Sequence, residues 1–178
     1  WCPPPPDAVC ERVPARGSLQ VRLPLRHAGT REVTIRWELC GPAGAPLLVV
    51  AGGISAHRHV IANRADPGEG WWQSQSPWLS RHRVLAIDWL GDGDSLDVAI
   101  DSADQADAIE AVIDALAVPP AKAFIGASYG AMVGLQFAAR HPQKLRALVA
   151  ISGAHRAHPW ASALRSVQRR IVALGLAH

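Results

Sequence analysis

Four short apolar runs, each bounded by turn residues, constrain this chain most. They are Pro46–Val50 (P-L-L-V-V), Arg83–Asp88 (R-V-L-A-I-D), Ala121–Ala127 (A-K-A-F-I-G-A) and the L-R-A-L-V-A-I run within Lys144–Ile151. A continuous apolar run of this length fits a strand buried on both faces. Helical patterns separate the later runs. After Ser102, Ala106, Ile109, Val112, Ile113 and Leu116 recur at helical spacing, with Ser102 and Gln105 as a capping-box pair and Pro119-Pro120 as the stop. Residues 129–140 read as a helix closed by Pro142, and residues 160–174 as another, with Pro159 near its first turn and Gly175 after its last. Strands alternating with helices predict an α/β fold: a mostly parallel sheet with helices on both faces.

Two earlier runs differ in kind. Leu19–Leu25 and Glu32–Leu39 alternate, the latter through Val33, Ile35 and Trp37, as antiparallel strands with one buried face do. Residues 1–18, rich in Pro and charge, read as an irregular lead-in, which leaves 19–178 as one core domain. The 178 residues suit a single domain. With 49% hydrophobic and 19% charged residues the chain can bury a core. Lys and Arg total 18 against 15 Asp and Glu, and they are scattered, so no nucleic-acid surface is expected. No apolar run reaches the roughly 18 residues of a membrane span. No signal-peptide pattern is visible at the start, although the first residue is Trp and not Met. Cys2, Cys10 and Cys40 form no CxxC and suggest neither a disulfide framework nor a zinc site, so a cytoplasmic location is expected.

Gly126-Ala127-Ser128-Tyr129-Gly130 is a G-x-S-x-G sequence set directly between an expected strand and an expected helix. In that context a tight turn exposes the Ser128 hydroxyl at the carboxyl end of the sheet, and small flanking residues let the two backbones pass. The first N–H groups of the helix then face the reacting atom, which makes the Tyr129 N–H one oxyanion donor. Ala51-Gly52-Gly53-Ile54, after another strand, offers the Ile54 N–H as the second. An ordinary strand–helix turn with a capping serine, and a plain Gly-Gly turn, are the structural alternatives.

Other patterns carry less. Asp88-Trp89-Leu90-Gly91-Asp92-Gly93-Asp94-Ser95 reads D-x-x-G-x-G-x-S, like the loop after the fourth strand of many α/β-hydrolases, and is taken as fold punctuation. Its order of Asp and Gly does not make an EF-hand. Gly93-Asp94-Ser95-Leu96 looks like a GDSL-esterase block, but no histidine has Asp three residues before it. His57 and His59 could pair on a metal, yet no third ligand cluster accompanies them, so hydrogen-bonded or surface histidines are expected. Residues 54–80 form a connection long enough to be functional. Its Trp71, Trp72 and Trp78 either pack over the mouth of the sheet or form a contact surface.

Together the elbow, the Gly-Gly loop and the D-x-x-G-x-G-x-S loop resemble an α/β-hydrolase. A narrower likeness covers most of the chain: A-G-G-I-S-A-H-R-H-V at 51–60, Gly70-Trp71-Trp72, G-A-S-Y-G-A-M-V-G-L-Q-F-A-A-R-H-P from Gly126, and A-S-A-L-R-S-V-Q-R-R at 161–170. These blocks resemble homoserine O-acyltransferases of methionine biosynthesis, most closely their succinyl-transferring branch. The resemblance implies a ping-pong transfer with Ser128 as nucleophile and an acyl-CoA, succinyl-CoA or acetyl-CoA, as co-substrate. No cofactor or metal is implied, and Arg169 matches the family's substrate arginine. A guanidinium there could bind a substrate carboxylate bidentately.

The sequence also departs from the family, whose triad runs Ser, Asp, His along the chain. No Asp or Glu follows Ser128, and His141, His155, His158 and His178 do not occupy the base's place. The expectation is a core domain ending where a lid would begin, before the last strands. Such a chain would be inactive alone, with an open sheet edge at 145–151, and homodimerisation would belong to the complete enzyme. An esterase of the same fold and a catalytically dead binding domain remain as alternatives.

Overall fold

The computed structural model describes residues 16–91 and 96–177. Six strands and four α-helices follow in chain order. They are β1 (Arg16–Leu25), β2 (Gly29–Cys40), β3 (Leu47–Ala51), α1 (Ser76–Leu79), β4 (Arg83–Ile87), α2 (Ser102–Ala115), β5 (Ala123–Ala127), α3 (Tyr129–Arg140), β6 (Leu148–Ile151) and α4 (Pro159–Leu176). They make one sheet of order β1-β2-β4-β3-β5-β6. The β1–β2 and β2–β4 pairs are antiparallel, and β3–β4, β3–β5 and β5–β6 are parallel.

The four apolar runs supply the parallel strands. Successive side chains of these strands point to opposite faces and meet different cores. Leu47, Val49, Leu85, Ile87 and Phe124 join Ile109, Val112, Ile113, Val133 and Phe137 of α2 and α3. Leu48, Val50, Val84, Ala86 and Ile125 join Val60, Ile61, Leu79, Trp71 and Trp72 on the other face. Among the described residues α2 and α3 therefore lie on one side, while the second side is covered by the long connection and its one-turn helix α1.

Local chemistry moves some boundaries. β1 begins at Arg16, inside the stretch expected to be irregular, because Arg16 pairs opposite Glu38 and its guanidinium bonds that buried carboxylate at 2.5 Å. The rest of that lead-in, residues 1–15, lies outside the described residues. Helix α2 is capped one residue earlier than the Ser102–Gln105 pattern suggests. The Asp101 carboxylate accepts from the Ala103 and Asp104 N–H groups, and the Asp104 side chain accepts from the Asp101 N–H. Gln105 is buried instead, and its amide serves the Leu90 backbone. At the other end, α4 runs through Gly175 to Leu176.

The long connection is pinned by a buried polar cluster. His59 places Nδ1 3.1 Å from Glu38 Oε1 and Nε2 2.8 Å from the Gly68 carbonyl oxygen. Arg16 and Asn63 also donate to the Glu38 carboxylate. Both ring nitrogens lie within hydrogen-bond distance of oxygen atoms. His59 is thus a structural tie from the connection to β2, and His57 stacks parallel to it with 6.4 Å between ring centroids.

Among the described residues β6 lies at one edge of the sheet, where Val149 and Ile151 are exposed. Beyond it α4 carries Trp160, Leu164, Val167, Ile171 and Leu174 along one stripe, all exposed. No described helix is long and apolar enough to cross a membrane.

The capping of α2 gives a pH prediction. Burial raises the Asp101 carboxyl, but the Ala103 and Asp104 N–H groups and Arg26 outweigh it and hold the group below its ordinary 3.8. A carboxyl depressed in the folded state adds stability above the unfolded value and loses it as pH falls through the folded value. The melting-temperature gap between the full-length protein and its Asp101→Asn variant should therefore be full near about pH 6 and shrink toward about pH 3. A gap independent of pH in thermal melts would remove the carboxylate's role.

Candidate active site

In this sheet β3 is flanked by β4 on one side and β5 on the other, and the crevice beyond the carboxyl ends of such strands is where open α/β sheets bind ligands. Three segments converge there: Gly52–Ile54 after β3, Asp88–Leu90 after β4, and Ser128 after β5.

Ser128 has φ 54° and ψ −114°, a conformation that side-chain-bearing residues rarely adopt. Such a backbone costs on the order of 1–3 kcal/mol and needs support from its surroundings. The support comes from neighbouring strands. The Ser128 N–H donates to the Ile151 carbonyl of β6 at 2.8 Å, and the Gly130 N–H donates to the Gly52 carbonyl at 2.8 Å. The flanking glycines are required by close approach. A Cβ on Gly126 would stand 2.3 Å from the Gly130 carbonyl oxygen, and one on Gly130 would stand 2.1 Å from the Ala51 carbonyl oxygen. Ser128 itself is exposed, at the point where the turn projects from the sheet.

The two expected oxyanion donors flank this point. Among the described residues neither the Tyr129 N–H nor the Ile54 N–H has a hydrogen-bond partner. The Gly53 carbonyl, on the same peptide as the Ile54 N–H, accepts from Trp89 Nε1 at 2.9 Å and from the Ala56 N–H at 2.9 Å. Trp89 is buried, and its ring meets Tyr129 edge-on, with centroids 5.0 Å apart and planes at 79°. Burial raises the Tyr129 phenol, with Gln105 opposing the shift in part. Trp71 closes the same loop from outside. Its Nε1 donates to the His57 carbonyl at 2.8 Å, and its ring lies 2.8 Å from where a Gly52 Cβ would be. Trp72 stacks on Trp71 at 5.3 Å, while Trp78 stays half exposed beside His82. Two of the three tryptophans thus pack at the sheet mouth.

Other candidates fall elsewhere. Arg169 lies on exposed α4 and lines a depression of about 520 Å³ with Ser162, Arg165, Ser166, Arg170 and Ala173, none of them from the elbow or the Gly-Gly loop. The structure does not bring Arg169 to Ser128 among the described residues. His141 bonds Asp107 at 2.8 Å at the far end of α3. Twelve helical residues separate that end from the elbow, about 18 Å of rise. His158 caps α4, its Nδ1 accepting from the Trp160 N–H at 3.2 Å. No described imidazole hydrogen-bonds Ser128. Residues 92–95 of the D-x-x-G-x-G-x-S loop, with the GDSL-like block, lie outside the described residues, as does His178. Among those described, no group of three or more His, Cys, Asp or Glu could hold a metal ion.

Sequence reasoning treated Asp88–Leu90 as punctuation, yet each of its residues secures the site. Asp88 accepts from the Arg58 N–H at 2.8 Å and pairs with its guanidinium, Trp89 holds Gly53, and Leu90 is bonded at both backbone groups by Gln105. The partners are mostly backbone atoms, which leave no mark in a sequence.

A strained serine in a tight turn between a buried strand and a helix, with glycines where the backbones cross, has the geometry of the strand–turn–helix elbow of the α/β-hydrolase fold. The profile of the alpha/beta hydrolase fold matches residues 46–174, and the chain belongs to that family. Within it, the chain is 53% identical over 176 residues to homoserine O-succinyltransferase of Xanthomonas campestris pv. campestris, covering 96% of this chain and 48% of that protein. It is 28% identical to serine O-succinyltransferase of Xanthomonas euvesicatoria pv. vesicatoria, covering 85% of this chain and 44% of that one. The crystal structure of homoserine O-acetyltransferase from Staphylococcus aureus superposes with a TM-score of 0.76 at 18% identity, over 90% of this chain and 53% of that chain, a likeness of fold. The chain spans about half the length of the curated relatives it matches.

The crossing at Gly130 gives a stability test. In the full-length protein Gly130→Ala should lower stability by on the order of 1–3 kcal/mol, because the added methyl meets backbone and cannot be accommodated by a rotamer. Gly53→Ala, whose Cβ would meet nothing within 4 Å, should stay within about 0.5 kcal/mol. Chemical denaturation of both variants checks the pair, and equal effects would contradict the close crossing.

Proposed function

We propose that this chain carries the nucleophile and the oxyanion hole of an acyl-CoA-dependent O-acyltransferase acting on homoserine, with succinyl as the transferred group. The backbone conformation of Ser128, with the open N–H groups of Tyr129 and Ile54, is the observation that carries the chemistry. The 53% identity to a homoserine O-succinyltransferase, against 28% to a serine O-succinyltransferase, favours homoserine as acceptor and succinyl-CoA as donor.

In this reading Ser128 Oγ attacks the thioester carbonyl carbon and passes its proton to a base. The carbonyl oxygen becomes an oxyanion held by the Tyr129 and Ile54 N–H groups. The C–S bond breaks, and CoA leaves as the thiol after taking up that proton. The homoserine side-chain hydroxyl then attacks the acyl-serine, the ester bond to Ser128 breaks, and the serine recovers its proton. Without a base a serine hydroxyl is a weak nucleophile, and no described residue serves as one. We assign the base and its acid partner to residues outside those described. Arg169 is assigned to the substrate carboxylate, on the family resemblance of the V-Q-R-R helix.

The full-length protein incubated with succinyl-CoA alone should gain one succinyl group on Ser128, read by peptide mass spectrometry. Ser128→Ala should abolish the adduct and lower CoA release at least about 10³-fold. An adduct on another residue would overturn the nucleophile. CoA release that depends on serine and not on homoserine would change the acceptor, and release of free succinate equally fast without either would favour an esterase.

Arg169→Ala should raise the homoserine KM about tenfold or more while the rate of Ser128 acylation stays within about twofold. Equal effects on both half-reactions, or none, would remove Arg169 from acceptor binding.

A further inference from the structure

We propose that Trp89 is a positioning residue for the oxyanion hole, a side chain that aims its Ile54 donor. The inference rests on the acyl-enzyme reading above and extends it to a residue that makes no contact with substrate.

The Ile54 N–H belongs to the Gly53–Ile54 peptide. In a trans peptide the C=O and the next N–H point in opposite directions. Whatever fixes the Gly53 carbonyl therefore fixes the direction of the Ile54 N–H. Two donors hold that carbonyl: the Ala56 N–H at 2.9 Å and Trp89 Nε1 at 2.9 Å. The Ala56 bond lies within the turn itself and sets its shape. The Trp89 bond reaches across from the end of β4 and ties the turn to the sheet. The neighbouring Gly52 carbonyl is held separately by the Gly130 N–H at 2.8 Å. Two successive carbonyls are thus held, and the Ile54 N–H, which has no acceptor among the described residues, points opposite to the Gly53 carbonyl.

The ring does a second job. Its edge-on contact with the Tyr129 ring, 5.0 Å between centroids, packs the indole against the first residue of α3, while the Tyr129 N–H is held separately through the Ser128 carbonyl, which accepts from the Ala131 N–H at 3.1 Å and the Met132 N–H at 3.3 Å. Trp89 cannot swing away easily. It is 6% exposed, and the backbone of Leu90 beside it is bonded at both N–H and carbonyl by the buried Gln105 of α2. Preorganised donors stabilise an oxyanion because they need not reorient as charge develops. A Gly-Gly turn left to itself has little such rigidity.

The test uses the full-length protein and single-turnover acylation of Ser128 by succinyl-CoA, followed by rapid quench and intact mass. Trp89→Phe keeps an aromatic ring and deletes the N–H. Replacement of Trp89 by benzothienylalanine, through nonsense suppression, keeps the ring size and shape and deletes only the donor, which covers the case where the smaller ring disturbs folding. Both should acylate about 10–100-fold more slowly, part of the loss expected from removing an oxyanion donor. The succinyl-CoA concentration at half-maximal rate should stay within about twofold, because the donors act on the transition state and not on ground-state binding.

A second readout is specific to the oxyanion hole. With the dithioester analogue, where sulfur replaces the carbonyl oxygen, the donors meet a poorer acceptor. The wild-type preference for oxygen over sulfur should shrink in both variants by about the factor lost in acylation rate. Acylation at the wild-type rate in the benzothienylalanine protein overturns the proposal. So does a slower rate with an unchanged oxygen-to-sulfur preference, which would mark a purely structural role. A wild-type protein that forms no Ser128 adduct overturns the acyl-enzyme reading, and this proposal with it. An adduct in wild type with no effect at Trp89 overturns the proposal alone.

Discussion

The bond from the Gly130 N–H to the Gly52 carbonyl, 2.8 Å long, joins the start of α3 to the end of β3. The site depends on it. It forms only because two glycines let the α3 and β5 backbones cross against β3, with no room for a Cβ at either position. Once made, it fixes the distance between the elbow and the Gly-Gly loop, and so between one expected oxyanion donor and the other. The strain at Ser128 is held by the same arrangement. Its own N–H is bound to β6, so the serine is braced by β3 and β6 as well as by its own strand. Strain of about 1–3 kcal/mol persists only where the surroundings over-determine the conformation, and here neighbouring strands on both sides do so.

The parallel strands and α3 could be read from sequence because their signals are local. An apolar run between turn residues identifies a strand with both faces buried, and α3 was expected over the residues it occupies. The elbow was legible for the same reason: strand, small residues, serine and helix lie within one short stretch. Other features depend on partners distant in the chain. Gln105 looks like a capping residue, yet it is buried because the Leu90 backbone needs it. Asp101 outcompetes Ser102 as the cap, since a carboxylate can accept from two N–H groups and also pair with Arg26. Glu38 and His59 read as an ordinary strand residue and a loop histidine, but they meet across 21 positions to tie the long connection to β2. Trp89 carries no such sequence signal, because its partner is a carbonyl oxygen, which every residue possesses.

Arg169 shows the limit from the other side. Its role came from resemblance, and its helix was legible from periodicity. Yet α4 presents Trp160, Leu164, Val167, Ile171 and Leu174 to solvent, and Arg169 lines a depression built from α4 alone. Periodicity fixes which residues share a face of a helix. It does not say what that face meets, and side-chain contacts between elements are what would bring a guanidinium to the elbow.

In the proposed acyl transfer, the described residues supply one part of the chemistry and not another. Ser128, the candidate nucleophile, and both candidate oxyanion donors lie just past the ends of β3 and β5, with Trp89 at the end of β4 bonded to the Gly53 carbonyl. They sit just past the carboxyl ends of strands whose side chains are buried on both faces. Proton transfer is absent from this set. His141 faces Asp107 at the far end of α3, His59 is committed to Glu38 and Gly68, and His158 caps α4. An oxyanion hole with substrate binding but without a base still accelerates acyl chemistry about 10³–10⁴-fold over water. Electrostatic stabilisation and proton transfer are therefore separable contributions. In the reading proposed above, the first rests on short backbone contacts at the end of the sheet, while the second requires side chains beyond the described residues around Ser128.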